Sequence, residues 1–231
     1  MDPNELPVRT GVVRPACLDD DSCPTPETEH DDGERIFSGE EAKPHAYPWM
    51  VRIIGCRKSD DGSTSCWVCG GSIISPDYVL TAAHCVEDGI IFRVQAGSHD
   101  FTKTEASRVS MDCSSCEIIH EDYKFPRNDV ALIKVPTPFQ FNEHITSICI
   151  SNYNVPVGSQ GAAMGWGKTG DSASVSPALQ FVDGLSVISN EEAVKVYGSN
   201  VKEENLCIKT SYSSGNKGTC QVYLIIWNMF K

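Results

Sequence analysis

The sequence predicts an all-β fold, a sandwich or a barrel, on three observations. Apolar runs of strand length recur along the chain, β-branched and aromatic residues dominate them, and turn residues separate them. Only one segment carries the signals of a helix. With 231 residues, 40% of them apolar and 22% charged, the chain is long enough to bury a real core and is neither disordered nor fibrous in composition. One all-β unit or two small barrels would fit that length.

Residues 1–35 are rich in Pro, Asp, Glu and Thr and poor in apolar residues, which predicts an extended, acidic leader. Beyond it, the predicted strands are Trp49-Met50-Val51-Arg52-Ile53-Ile54, Gly71-Ser72-Ile73-Ile74, Tyr78-Val79-Leu80, Ile90-Ile91-Phe92-Arg93-Val94 and Val130-Ala131-Leu132-Ile133-Lys134-Val135. The helix is Asn190 to Gly198. Ser189 or Asn190 can cap it, Glu191 and Glu192 favour its positive end, and Gly198 stops it. In Gly165-Trp166-Gly167, glycines on both sides would let the backbone turn tightly while the indole packs.

The formal net charge of −12 argues against nucleic acid and against a polybasic membrane anchor as partners. Much of the charge lies in the leader, at Asp19, Asp20, Asp21, Glu27, Glu29, Asp31 and Asp32, where it is solvated and makes no site. No run reaches the 18 or so consecutive apolar residues of a membrane span. Eleven cysteines indicate an oxidising compartment and hence secretion. The start, Met1-Asp2-Pro3-Asn4-Glu5-Leu6-Pro7, has no basic region followed by an apolar run, so the expectation is a chain incomplete at its beginning.

Two segments carry chemistry. In Leu80-Thr81-Ala82-Ala83-His84-Cys85 an imidazole follows two small residues and precedes a cysteine, which leaves it uncrowded beside a backbone that a disulfide can fix. Cys69-Gly70-Gly71-Ser72-Ile73-Ile74 stands just before it. Together they closely resemble the histidine segment of the chymotrypsin-family, trypsin-like serine proteases. Asn128-Asp129-Val130-Ala131-Leu132-Ile133 resembles that family's aspartate motif, and Gly165-Trp166-Gly167 another of its landmarks. The resemblance runs from Arg35 to Gln221.

It implies a fold of two six-stranded antiparallel Greek-key barrels with one short helix, and a protease domain over 36–221. His84 would be the general base and Asp129 the residue that fixes its tautomer. Residues 1–35 would be a pro-segment, with Arg35 and Ile36 the bond cut to activate a zymogen, although Phe37-Ser38 departs from the usual Val-Gly. Protein substrates or inhibitors and an activating protease would be the partners, and neither a cofactor nor a metal is implied. Cys69 would pair with Cys85, the family's histidine-loop bridge. Cys149 sits where a related protease ties its pro-segment to the body, which gives Cys17 or Cys23 as its partner. The partner expected of Cys207 in the helix is replaced by Ala193, and that of Cys220 would lie downstream of the chain's end.

Cys56 and Cys66 bracket a polar hairpin tip and are expected to pair across it. Cys113-Ser114-Ser115-Cys116 followed by His120 has the outline of part of a zinc or redox site. A local bridge, or bridges to other partners, is favoured because no second ligand cluster is present.

The resemblance breaks where the family places its nucleophile. After Cys220-Gln221 the family continues to Gly-Asp-Ser-Gly-Gly-Pro, whereas this sequence continues Val222-Tyr223-Leu224-Ile225-Ile226-Trp227-Asn228-Met229-Phe230-Lys231. The nucleophile, the oxyanion-hole amides and the aspartate that receives the Ile36 amino group are all absent from that stretch, so the expectation is an incomplete second barrel and an inactive chain. Residues 222–231 form a divergent tail, read as intron read-through or a misplaced gene end, with a truncated isoform or an added strand as alternatives. A non-catalytic homologue that binds or regulates is the other functional class. Gly218 takes the position of the specificity-pocket floor and carries no carboxylate, which favours an apolar residue before the scissile bond.

Overall fold

The computed structural model describes residues 40–125, 127–150, 155–167, 175–198, 201–202 and 205–210. Arg35, Ile36, Cys17, Cys23, Gly218, Cys220 and the tail 222–231 lie outside the described residues.

The order of elements is β1 (Glu40–Glu41), β2 (Met50–Lys58), β3 (Thr64–Ser75), β4 (Tyr78–Thr81), a 3₁₀ turn (Ala83–Cys85), β5 (Ile91–Ala96), β6 (Val109–Cys113), β7 (Glu117–Ile119), β8 (Ala131–Lys134), β9 (Gln160–Gly165), β10 (Gln180–Ile188), α1 (Asn190–Tyr197) and β11 (Cys207–Thr210). Each predicted strand falls within or across one of these, shifted by a residue or a few at the ends. Among the described residues the fold is all-β with one short helix.

Seven strands form the first sheet, in the order β6-β5-β2-β3-β4-β8-β7, with every pairing antiparallel. The two ends of that order are consecutive in the chain. Only residues 114–116 separate β6 from β7, and a Cys113–Cys116 disulfide spans the break, with Ser115 at a φ of 52°. Taken as the two halves of one bent strand, β6 and β7 close the sheet into a barrel of six strands. Closure removes the sheet edges that would otherwise template pairing with other chains.

The first barrel is filled by strict alternation. Along β5, Phe92, Val94 and Ala96 are buried while Ile91 and Arg93 are exposed, and Val51, Ile53, Ile73, Val79 and Ile133 meet them from the other strands. Each of the Val, Ile and Phe side chains contributes roughly 1.5–3 kcal/mol.

In the second sheet β9 lies along one edge of β10, and β1 and β11 share the other, all antiparallel. A bulge between Val182 and Leu185 bends β10, and Gly184 at a φ of 69° supplies the turn. The described part of this second barrel is incomplete. The helix is capped as expected, with Ser189 Oγ accepting from Glu192 N–H at 3.1 Å and Gly198 in the left-handed region at its end.

A second apolar cluster of Tyr47, Trp49, Met50, Ile148, Met164, Trp166 and Leu179 joins segments of both sheets. The loop after β5 docks on it. Trp166 Nε1–H donates to the His99 carbonyl at 3.0 Å, Phe101 N–H to the Pro177 carbonyl at 3.0 Å, and the Arg52 guanidinium lies 4.1 Å from the Phe101 ring centroid. Inside the loop, Arg108 donates to the carbonyls of Asp100 and Lys103, both at 2.7 Å, while the Glu105 carboxylate accepts from Ser98 Oγ–H and His99 N–H. Trp166 packs as the sequence implied. Gly165 differs, because a Cβ there would meet nothing within 4 Å and its φ is not left-handed, so no turn demands the glycine.

Candidate active site

The register of β4 and β8 brings the two candidate residues together. Thr81 pairs with Ala131, and His84 lies three residues after the first while Asp129 lies two before the second. Thr81 anchors its strand end by donating Oγ1–H to the Gly70 carbonyl at 2.9 Å. The chain then turns in a single 3₁₀ step, with Cys85 N–H on the Ala82 carbonyl and Val86 N–H on the Ala83 carbonyl. Ala83 and Cys85 point into the core, fully buried, so the residue between them must point outward. That residue is His84, three-quarters covered.

Asp129 comes out of a tight turn. Asn128 occupies the left-handed region at a φ of 51°, which Asn tolerates better than most residues, and its Nδ2–H donates to the Asp122 carbonyl at 3.0 Å. The Asp129 carboxylate then receives His84 twice, Oδ2 lying 2.6 Å from Nδ1 and Oδ1 accepting the His84 backbone N–H at 2.9 Å. A carboxylate cannot donate, so this geometry fixes the proton on Nδ1 and makes Nε2 the nitrogen that carries the lone pair. Burial works to raise the Asp129 pKa, but hydrogen bonds from the His84 side chain and backbone, with the imidazole charge and the Ala83 backbone, outweigh it and hold the carboxyl below its ordinary range.

Around the imidazole, the Phe125 ring stands nearly perpendicular to that of His84 at 6.2 Å between centroids, and Phe125 is 67% exposed. Tyr123 donates to Glu87 at 3.1 Å; burial first, and that carboxylate second, push its phenol up to about 12. Nothing at short range in the sequence marks Phe125 as a neighbour of His84, from which it is 41 residues distant.

Cys69 and Cys85 are joined, as are Cys56 and Cys66. Cys85 Sγ lies 3.6 Å from His84 Nε2. Cys69, His84 and Cys85 therefore have the spacing of a metal cluster, but the disulfide leaves no thiolate to bind one. The Cys113 and Cys116 sulfurs are likewise tied to each other, and His120 Nδ1 accepts from Asp122 N–H at 3.1 Å, so the zinc outline dissolves into a strand bend and a turn. Cys207, half-buried with its thiol pKa raised by burial, has no disulfide partner among the described residues.

A six-stranded barrel joined to a second antiparallel sheet, with an imidazole and a carboxylate locked together at adjoining strand ends, defines the chymotrypsin-type architecture. Residues 36–221 match the family profile described as Trypsin, and the chain belongs to the trypsin family. It is similar to Brachyurin of Leptuca pugilator, 35% identical over 188 residues that cover 80% of this chain and 77% of the relative. It is also similar to Trypsin of Squalus acanthias, 32% identical over 193 residues covering 83% and 78%. Among solved structures, one titled "Structure of GrC" superposes with a TM-score of 0.67 at 25% identity and covers 75% of each chain.

Proposed function

We propose that the chain is a secreted, zymogen-type member of the serine endopeptidase family that lacks the nucleophile, with His84 in the place of the general base and Asp129 as the group that orients it. The observation that carries this reading is the two-point grip of Asp129 on His84, which holds Nδ1 protonated and so makes Nε2 the basic nitrogen that would take a hydroxyl proton. Its partners are protein substrates or inhibitors, and the Arg35-Ile36 bond is the one an activating protease cuts. Gly218 favours an apolar residue before the scissile bond. Three disulfides among the described residues support an oxidising, extracellular setting. No helix among them is long and apolar enough to cross a membrane.

Residues 1–231 hold no Gly-Asp-Ser-Gly segment after Cys220, so the proposal includes that this sequence does not hydrolyse peptides by itself. The test is to express the chain, cleave it after Arg35 and add a serine-directed phosphonate. The expected result is no labelling. Labelling would refute the inactivity. Saturable binding of a protein inhibitor or substrate without labelling would instead favour a binding or regulatory module.

A further inference from the structure

We propose that Trp67 is a positioning residue for His84, acting through the carbonyl of Cys85; this rests on the reading of His84 as the base. Trp67 sits on β3 opposite Gly55 of β2, and the next pair in the register, Cys56 and Cys66, is the disulfide. The indole lies against Gly55. A Cβ at Gly55 would stand 2.8 Å from two of its ring carbons, so the bare glycine is what admits the ring in this position.

From there the indole Nε1–H donates to the Cys85 carbonyl at 2.9 Å. Cys85 is the residue after His84, and its side chain is already tied to Cys69 on the same strand β3. The residue behind the imidazole is therefore held at two points from one strand, while Asp129 holds the His84 backbone N–H in front. With both flanks fixed, the only soft torsions left to the imidazole are its own side-chain angles, and the Asp129 Oδ2 contact sets those. A carbonyl released from Trp67 lets the short 3₁₀ turn relax while the core and the disulfides remain. Displacements of about 1 Å at such a pair are enough to cost about a hundredfold in rate.

The readout must not depend on turnover. The His84 Nδ1–H proton of the full chain, observed by NMR far downfield of the amides, reports the contact with Asp129 directly, and Asp129→Asn assigns it by its loss. Trp67→Phe keeps an aromatic ring and removes the donor. A second variant with benzothienylalanine at position 67 keeps the bicyclic shape and removes only the N–H, which covers the case in which the phenylalanine variant fails to fold. In both the signal is expected to broaden or vanish through faster exchange with water, with the melting temperature nearly unchanged in the isosteric variant. A signal of unchanged intensity and exchange rate in the isosteric variant would overturn the positioning role alone. A parent chain that lacks the signal, or keeps it in Asp129→Asn, would overturn the paired base itself and the role of Trp67 with it.

Discussion

Asp129 holds His84 by two oxygens, one on the imidazole Nδ1 at 2.6 Å and one on the backbone N–H at 2.9 Å. The first contact chooses the tautomer and the second fixes where the ring starts from. Both stabilise the charged carboxylate, and so both link folding to pH.

The folded pKa of Asp129 is depressed below its ordinary 3.8. The unfolded chain therefore takes up this proton first as pH falls, and the stability from the pair is fully present above the unfolded value and lost as pH drops through the folded one. Asp129→Asn is expected to cost about 2 kcal/mol at pH 7, the usual loss for hydrogen bonds to a charged group. Urea unfolding of parent and variant at a series of pH values checks this. The gap between them should close on going well below pH 4, and a gap independent of pH would refute the link.

The Cys69–Cys85 bridge closes 16 residues and Cys113–Cys116 only 3. In the chain-entropy relation the first is worth about 3 kcal/mol and the second about 2. Replacing both cysteines of the first by alanine should lower the melting temperature by roughly 6–12 °C, given roughly 2–4 °C per kcal/mol for a domain of this size. Thermal unfolding by circular dichroism measures it. Replacing Cys113 and Cys116 should cost less globally, yet its effect should concentrate in faster amide exchange of β6 and β7, where the barrel closes.

His84 and Asp129 were legible because their segments are contiguous, with small residues, a cysteine and a strand start within six positions. The helix was legible for the same reason, since its caps are local. Barrel closure was not, because Cys113-Ser114-Ser115-Cys116 looks the same whether it ends a hairpin, binds a metal or bends one strand. Only the pairing of β6 with β5 and of β7 with β8 decides among these. The junction was equally hidden. His99 Nε2 meets Glu41 at 2.9 Å across 58 residues, and Arg108 fills its own loop through backbone carbonyls that any sequence supplies.

That loop depends on Gly97, which stands at a φ of 67° where an added Cβ would come 2.4 Å from the Ser107 carbonyl oxygen and 2.9 Å from Ile145. Gly62 has a similar φ of 83° with nothing within 4 Å. Gly62→Ala should therefore cost only left-handed strain, about 1 kcal/mol, whereas Gly97→Ala adds a backbone clash and should cost about 3 kcal/mol or more. Denaturant unfolding of the two variants tests the difference. Equal costs would mean that the loop yields, and that its docking through Phe101 is softer than its contacts imply.

Tyr47 sets the alkaline limit. It is almost fully buried, stacked on Phe181 and edge-on to Trp49, each at 5.8 Å between centroids. Burial, and after it the carboxylates of Asp183 and Glu40, push its phenol up to about 12 from an unfolded value of 10.0. The raised pKa means that the fold favours the protonated phenol. Below pH 10 both states keep the proton, and between pH 10 and 12 the unfolded chain sheds it while the folded one does not. Stability should fall through that window by up to about 3 kcal/mol, at 1.36 kcal/mol per unit. Tyr123 shares the shift, so Tyr47→Phe should remove part of the loss and leave the remainder. Urea unfolding from pH 8 to 11.5 measures both slopes. If Tyr47→Phe follows the parent curve throughout, the phenol at position 47 ionises as readily in the folded chain as in the unfolded one, and the burial argument fails.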